Sequence, residues 1–173
     1  MRMLLLAVLT VALAPAWGQK LDLRFDGLAA KAKETAEVDL DGPALTAALK
    51  SFAPKKVADA GAGLTGLFVR NYEFATAGAY AQSDLAALRK QVSAGSGWSR
   101  IINVKEQDET TEVYLYGASE KPSGLLIISA EAKELTVVNL LGSVQVAQLA
   151  QLQELVHASV QYDLRKGSRS VTR

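Results

Sequence analysis

Cysteine is absent from all 173 residues. That excludes disulfides, thiolate nucleophiles, Cys-based metal sites and a lipidated N-terminal Cys. Histidine occurs once, at His157. One imidazole cannot build a zinc or copper site of several histidines within one chain, and it leaves a single candidate base for a Ser-His-Asp arrangement. His157 falls at the end of the last predicted helix, where an imidazolium suits the helix C-terminus. No apolar run reaches the roughly 20 residues needed to span a bilayer. Neither sign of charge dominates: 19 Lys and Arg stand against 18 Asp and Glu. A balance of that kind gives no electrostatic reason to expect nucleic acid.

The first residues, MRMLLLAVLTVALAPAWGQ, set a basic Arg2 before an apolar run from Met3 to Ala14, followed by Pro15 and small residues. This order is that of a cleaved secretory signal peptide. Residues 1–18 are therefore expected to be removed, with cuts after Ala16 or after Gly18 both fitting. Loss of Arg2 leaves 18 basic and 18 acidic side chains. Residues 19–162 are long enough for one domain that is stable through its core alone. Residues 163–173 are basic and polar without apolar periodicity, and read as a frayed tail.

Gly61 to Gly66, GAGLTG, spell G-x-G-x-x-G. A dinucleotide fingerprint requires a strand entering the glycines and a helix leaving them, with the helix N-terminus facing the pyrophosphate. Here a small-residue loop (58–63) enters and a strand leaves, so the motif is not assigned to a nucleotide.

The remaining pattern alternates helices and strands. Gln19 to Glu37 has Phe25, Leu28, Ala29, Ala32 and Ala36 at helical spacing, with Asp26 placed to cap it. Glu37 to Asp41 reads as an edge strand or an extended link. Gly42-Pro43 starts a helix, with Leu45, Ala48, Leu49 and Phe52 on one face, that ends at Pro54. Leu64 to Phe74 is strand-rich in β-branched and aromatic residues. Ser83 to Val92 reads as a helix capped by Ser83, with Leu85, Leu88 and Val92 on one face. Four strands follow: Trp98–Lys105 with Ile102 and Val104 on the Trp98 side, Thr111–Gly117, a centrally buried Leu125–Ala130, and Leu135–Leu141. Turns are expected at 107–109, 121–124 and 131–134. Val144 to His157 is a final helix with Val146, Leu149, Leu152, Leu155 and Val156 inward.

The fold class is therefore α+β: an about five-stranded, largely antiparallel sheet with helices packed mainly on one face. The strands at 64–74 and 98–105 flank a helix and are expected to run parallel through a right-handed crossover.

The strand ending Val-Arg-Asn-Tyr-Glu-Phe (Val69–Phe74), the GW-x-R-I-I-N-V-K-E stretch (Gly97–Glu106), V-Y-L-Y (Val113–Tyr116), GLLIISAE (Gly124–Glu131) and VVNLLGSV (Val137–Val144) together resemble the exported bacterial family called domain of unknown function 4252. The resemblance spans about Leu21 to Leu155. It implies a bacterial, exported and functionally uncharacterised protein, and supplies no catalytic residues. Many family members look like lipoproteins. This chain lacks the lipidated Cys, which implies a soluble periplasmic or secreted version without a stable membrane anchor after cleavage.

Candidate chemistry is thin. Asp39-x-Asp41-Gly42 is a fragment of a calcium loop, but Ala48 stands where the loop needs its Glu. Glu106, Asp108, Glu109 and Glu112 form an acidic hairpin tip, expected to be solvated. No catalytic, cofactor-binding or metal-ligating set is assigned, and no cofactor is expected. Trp98, Tyr114, Tyr116 and Arg100 lie on adjacent strands and form the candidate binding face if that side of the sheet is open, with Arg70 able to join it; a half-buried sheet surface is the other reading. Two function classes follow. One is a non-catalytic binding or accessory module at the cell envelope, with an envelope protein or a second copy as partner. The other is a small carboxylate-dependent periplasmic hydrolase.

Overall fold

The structure is a computed structural model that describes residues 20–25 and 27–145. Six strands are present: β1 (Glu34–Asp41), β2 (Leu64–Glu73), β3 (Trp98–Glu106), β4 (Glu109–Ala118), β5 (Lys121–Ala130) and β6 (Glu134–Gly142). The helices are α1 (Leu28–Lys31), α2 (Gly42–Phe52), α3 (Lys55–Gly61) and α4 (Ala86–Gln91), the last preceded by a 3₁₀ turn, Gln82–Leu85. The strands form one sheet in the order β1-β2-β6-β5-β4-β3. Every neighbouring pair is antiparallel. The α+β class and antiparallel sheet follow the sequence pattern. The sheet has six strands rather than about five, because the segment around Glu37–Asp41 is a full edge strand.

The pairing register divides the sheet into two faces. Phe68, Tyr72, Trp98, Tyr114, Leu126, Ile128, Leu135 and Val137 share one face and are buried together with Leu21, Leu23, Phe25, Leu28, Leu85, Leu88 and Val92. This is the tyrosine face, covered by residues 20–25, α1, the 3₁₀ turn and α4. Val38, Leu67, Val69, Val113, Leu115, Leu125, Val138 and Leu140 share the other face with Leu45, Leu49, Val57 and Ala60 of α2 and α3. Helices thus cover both faces, not mainly one. Each fully buried Leu on these faces contributes about 1.5–3 kcal/mol through loss of apolar surface to water. β5 is buried from both sides, as its continuous apolar run requires.

Several local expectations are corrected. The N-terminal helix over Gln19–Glu37 is replaced, from Lys20 on, by an extended segment, one helical turn and the start of β1. Leu21, Leu23 and Phe25 are buried while Lys20, Asp22 and Arg24 are exposed, a period of two that lays one side of the segment on the sheet. The small-residue loop before Gly63 is largely α3, with Pro54 just ahead of its first turn. The helix at Ser83 is not capped by Ser83. The Asp84 carboxylate accepts the Ala81 N–H at 3.0 Å instead. The expected turn at 121–124 lies inside β5. β2 and β3 do run in the same direction, but β6, β5 and β4 lie between them, so they are not paired. The signal segment 1–18, the expected last helix from residue 146 on, and the tail lie outside the described residues, while Val144 and Gln145 are not helical. Among the described residues, no helix is long and apolar enough to cross a membrane.

Candidate functional site

The β3–β4 corner gathers the four residues singled out in the sequence. Trp98 pairs with Tyr116 and Arg100 with Tyr114, so all four share the tyrosine face. That face is not open. Trp98 and Tyr114 are buried beneath α4, Tyr116 is half-buried, and Arg100 alone keeps an exposed side chain. The Trp98 and Tyr116 rings lie 5.3 Å apart at 54°. The buried indole N–H of Trp98 has no hydrogen-bond partner among the described residues. Arg70 lies at the opposite end of the sheet and donates to Asp39 at 3.0 and 3.1 Å. By its pairing with Val137 it shares the tyrosine face, but on β2 it stands four strands away from β3 and is not part of the corner.

Glu112 is the residue the sequence pattern misplaces. It reads as part of an acidic hairpin tip, yet its side chain is only 4% exposed. Arg89 of α4 donates to its Oε1 from Nε at 2.9 Å and from Nη2 at 2.5 Å. The Tyr114 hydroxyl donates to Oε2 at 2.5 Å, and Arg100 Nη1 stands 3.8 Å away. Burial alone raises the pKa of this carboxyl. The Arg89 and Tyr114 hydrogen bonds, with the charges of Arg89 and Arg100, outweigh that and hold it below the ordinary glutamate range. Burial, reinforced by Glu112, moves the Tyr114 hydroxyl up. The only sequence signal was two-residue spacing: Glu112 alternates with Tyr114 and Tyr116, the same side as the buried Tyr114. The cluster ties α4 to β4 and holds the N-terminal half of β3 through Arg100.

Beyond Arg100 the strand changes face. Arg100 pairs with Tyr114 but Ile102 pairs with the next residue, Val113. One residue of β4 is thus matched by two of β3, a β-bulge with Ile101 as the extra residue. The bulge moves Ile102 and Val104 off the Trp98 side, where alternation had set them, onto the valine face. β3 is the outer strand, paired only with β4. Ile101 is 45% exposed, Ile102 39% and Val104 45%; these are the exposed large apolar residues among the described residues. Nine residues of strand backbone therefore present an unpaired edge beside three aliphatic side chains.

Two grooves lie elsewhere on the described surface. One of about 390 Å³ is lined by Lys20, Asp22, Arg24, Asp39, Phe68 and Arg70 among others. Its cations are partnered: Arg24 bonds Asp22, Arg70 bonds Asp39, and the Lys20 ammonium sits 4.1 Å from the Phe68 ring centroid. The other, of about 230 Å³, is lined by Tyr80, Asp108 and Glu131 among others. Glu131 is exposed at this groove; partial loss of solvent, with the charges of Glu134 and Glu109, moves its carboxyl above its ordinary range. Among the described residues no group of three or more His, Cys, Asp or Glu is placed to hold a metal ion.

The G-x-G-x-x-G glycines serve packing. α3 leads into them and β2 leaves, the reverse of a nucleotide loop. A Cβ on Gly61 would stand 3.0 Å from Leu49, on Gly63 2.9 Å from the Ser143 carbonyl oxygen, and on Gly66 2.7 Å from the Phe68 ring.

The family model described as domain of unknown function DUF4252 matches residues 29–152. The chain belongs to this family. No curated protein and no solved structure matches it. Within this DUF4252 domain the matched range contains every strand of the sheet, the Glu112 cluster and the β3 edge, but not the docked segment 20–25.

Proposed function

We propose that this DUF4252 protein is an exported, non-catalytic binding module at the cell envelope, and that the outer edge of β3 takes an extended segment of its partner. The observation that carries the reading is the exposure of Ile101, Ile102 and Val104 along a nine-residue outer strand. An edge of this kind offers main-chain donors and acceptors to another strand, while alternate side chains supply an apolar contact. Export is supported by the signal-peptide pattern of residues 1–18. The aromatic corner supports the edge from below rather than forming the contact.

The test is capture in cells. The full chain, with its own leader and a C-terminal tag, is crosslinked in intact cells and purified under denaturing conditions. Wild type is expected to bring down a reproducible product that Ile102→Lys/Val104→Lys loses while its circular dichroism stays unchanged. Equal capture by both proteins, or none by either, contradicts the reading.

A second reading rests on the groove lined by Asp108 and Glu131. Two carboxyls lining one groove are the minimum set for a general acid and base. Hydrolysis of a panel of ester, glycoside and peptide substrates, lost on Glu131→Gln, would support it. Activity absent from wild type across the panel removes it.

A further inference from the structure

We propose that the occupant of the β3 edge is β3 of a second copy of this chain, paired antiparallel about a two-fold axis at Val104. This names the partner for the edge proposed above and rests on that reading.

The two edges of the sheet differ in a way that selects β3. β1 carries Glu34, Glu37, Asp39 and Asp41. Four of its eight residues are acidic, so pairing β1 with itself crowds carboxylates together, a common means of blunting an edge. β3 carries a single acid, Glu106, and its aliphatic side chains are exposed.

Register follows from the bulge and from charge. The bulge at Ile101 leaves 102–106 as the regular edge. Paired residues in a continuous sheet lie on one face, and a two-fold axis makes every contact reciprocal. Centred on Asn103, the pairing sets Lys105 against Arg100 of the other copy. Centred on Lys105, it sets Lys105 against itself. Centred on Val104, it sets Val104 against Val104, Asn103 against Lys105 and Ile102 against Glu106, with Ile102 diagonal to Val104. Arg100 then comes level with the Gln107–Asp108 turn of the other copy, next to an acid. Of these three, this register brings the two Val104 side chains together, with Ile102 beside them, and opposes no like charges.

The size of the contact sets its strength. Five regular residues on each copy bury well under the roughly 800 Å² per partner of a standard interface. The dimer is therefore weak and reversible.

The absence of cysteine gives a clean test on the full chain purified after export. Val104→Cys introduces one thiol, and directly opposed strand residues have Cα atoms about 4.5–5.5 Å apart, within disulfide reach. Asp41→Cys on the β1 edge is the control. Under mild oxidation Val104→Cys is expected to form a covalent dimer about tenfold faster than the control or more. In sedimentation velocity the wild type is expected to shift reversibly from monomer to dimer between about 1 and 100 µM, and Val104→Lys to stay monomeric with unchanged circular dichroism. A wild type that remains monomeric throughout, or Val104→Cys crosslinking no faster than Asp41→Cys, overturns the proposal. If Val104→Cys does not fold, the wild-type sedimentation result decides alone. A monomeric wild type whose cellular capture still depends on Ile102 and Val104 refutes the second copy but keeps the edge; capture independent of both residues removes the edge itself.

Discussion

A Cβ on Gly142 would stand 2.4 Å from the carbonyl oxygen of Gly63. The two backbones meet where β6 ends and β2 begins, and the Ser143 N–H donates to that same Gly63 oxygen at 2.8 Å. Gly142 has φ 102, a conformation that side chains rarely adopt. The glycines of GAGLTG and VVNLLGSV therefore answer one another across a strand junction.

Gly142→Ala is expected to cost more than about 3 kcal/mol, since it combines strained backbone with a clash against main chain that cannot move aside. Urea denaturation checks this. A loss under about 1 kcal/mol would mean the junction relaxes easily, contrary to the close approach described here.

Asn139, fully buried on the tyrosine face, accepts the Leu21 N–H at 3.2 Å and donates to the Leu125 carbonyl at 3.3 Å. Asn139→Ala leaves both backbone groups buried without that partner, at about 1–3 kcal/mol. The effect should be local as well as global. Amide exchange at Leu21 and proteolysis within residues 20–25 should accelerate more than exchange in β5. Equal acceleration everywhere would show that Asn139 supports the sheet but does not pin the segment.

Arg89→Ala leaves the Glu112 carboxylate buried with weakened compensation. The expected loss is on the order of 3 kcal/mol, toward the low end for a buried pair because Arg89 keeps some access to water. The same pair predicts a pH dependence. Glu112 is held below its unfolded pKa, so its contribution is present above about pH 4.3 and is lost as pH falls through the folded value. Glu112→Gln should be less stable than wild type at pH 7, with the gap narrowing below about pH 4. A gap that stays constant down to pH 2.5 contradicts the assignment.

Tyr72 and Tyr80 are both pushed up to about 12, chiefly by burial. Glu37 adds to the shift at Tyr72, and the Tyr80 hydroxyl donates to the Glu131 and Glu134 carbonyls at the β5–β6 turn. Their neutral forms are favoured in the folded chain, so stability should fall as pH rises above about 10. Ultraviolet titration of Tyr72→Phe should lose a late-ionising component near pH 12. Loss of a component near pH 10 instead would place Tyr72 in water.

Residues with a single strong pattern were legible in the sequence. The strands from Leu64 to Leu141 and the α2 face follow from alternation and 3.6-residue spacing. The failures share a physical cause: a second pattern competed with the true one. Alanines at 29, 32 and 36 mimic a helix and mask the period of two at Leu21, Leu23 and Phe25. α3 is too short and too rich in small residues to declare an apolar face. The bulge at Ile101 flips the side of Ile102 and Val104, and no local residue announces it. Glu112 reads as a tip acid because its partner, Arg89, is 23 residues away in the chain. The aromatic corner lies on one face as the alternation predicts, and the structure takes the half-buried reading further: residues 20–25 and α4, which cover that face, leave no local mark on the strands themselves.

The most direct test of the account is a photo-reactive amino acid placed at Val104 of the exported chain, compared with one at Asp41 on the β1 edge, in living cells. The account predicts a discrete crosslinked product from position 104 and none from position 41. Equal labelling at the two positions, or none at position 104, would contradict β3 as the working edge of this protein.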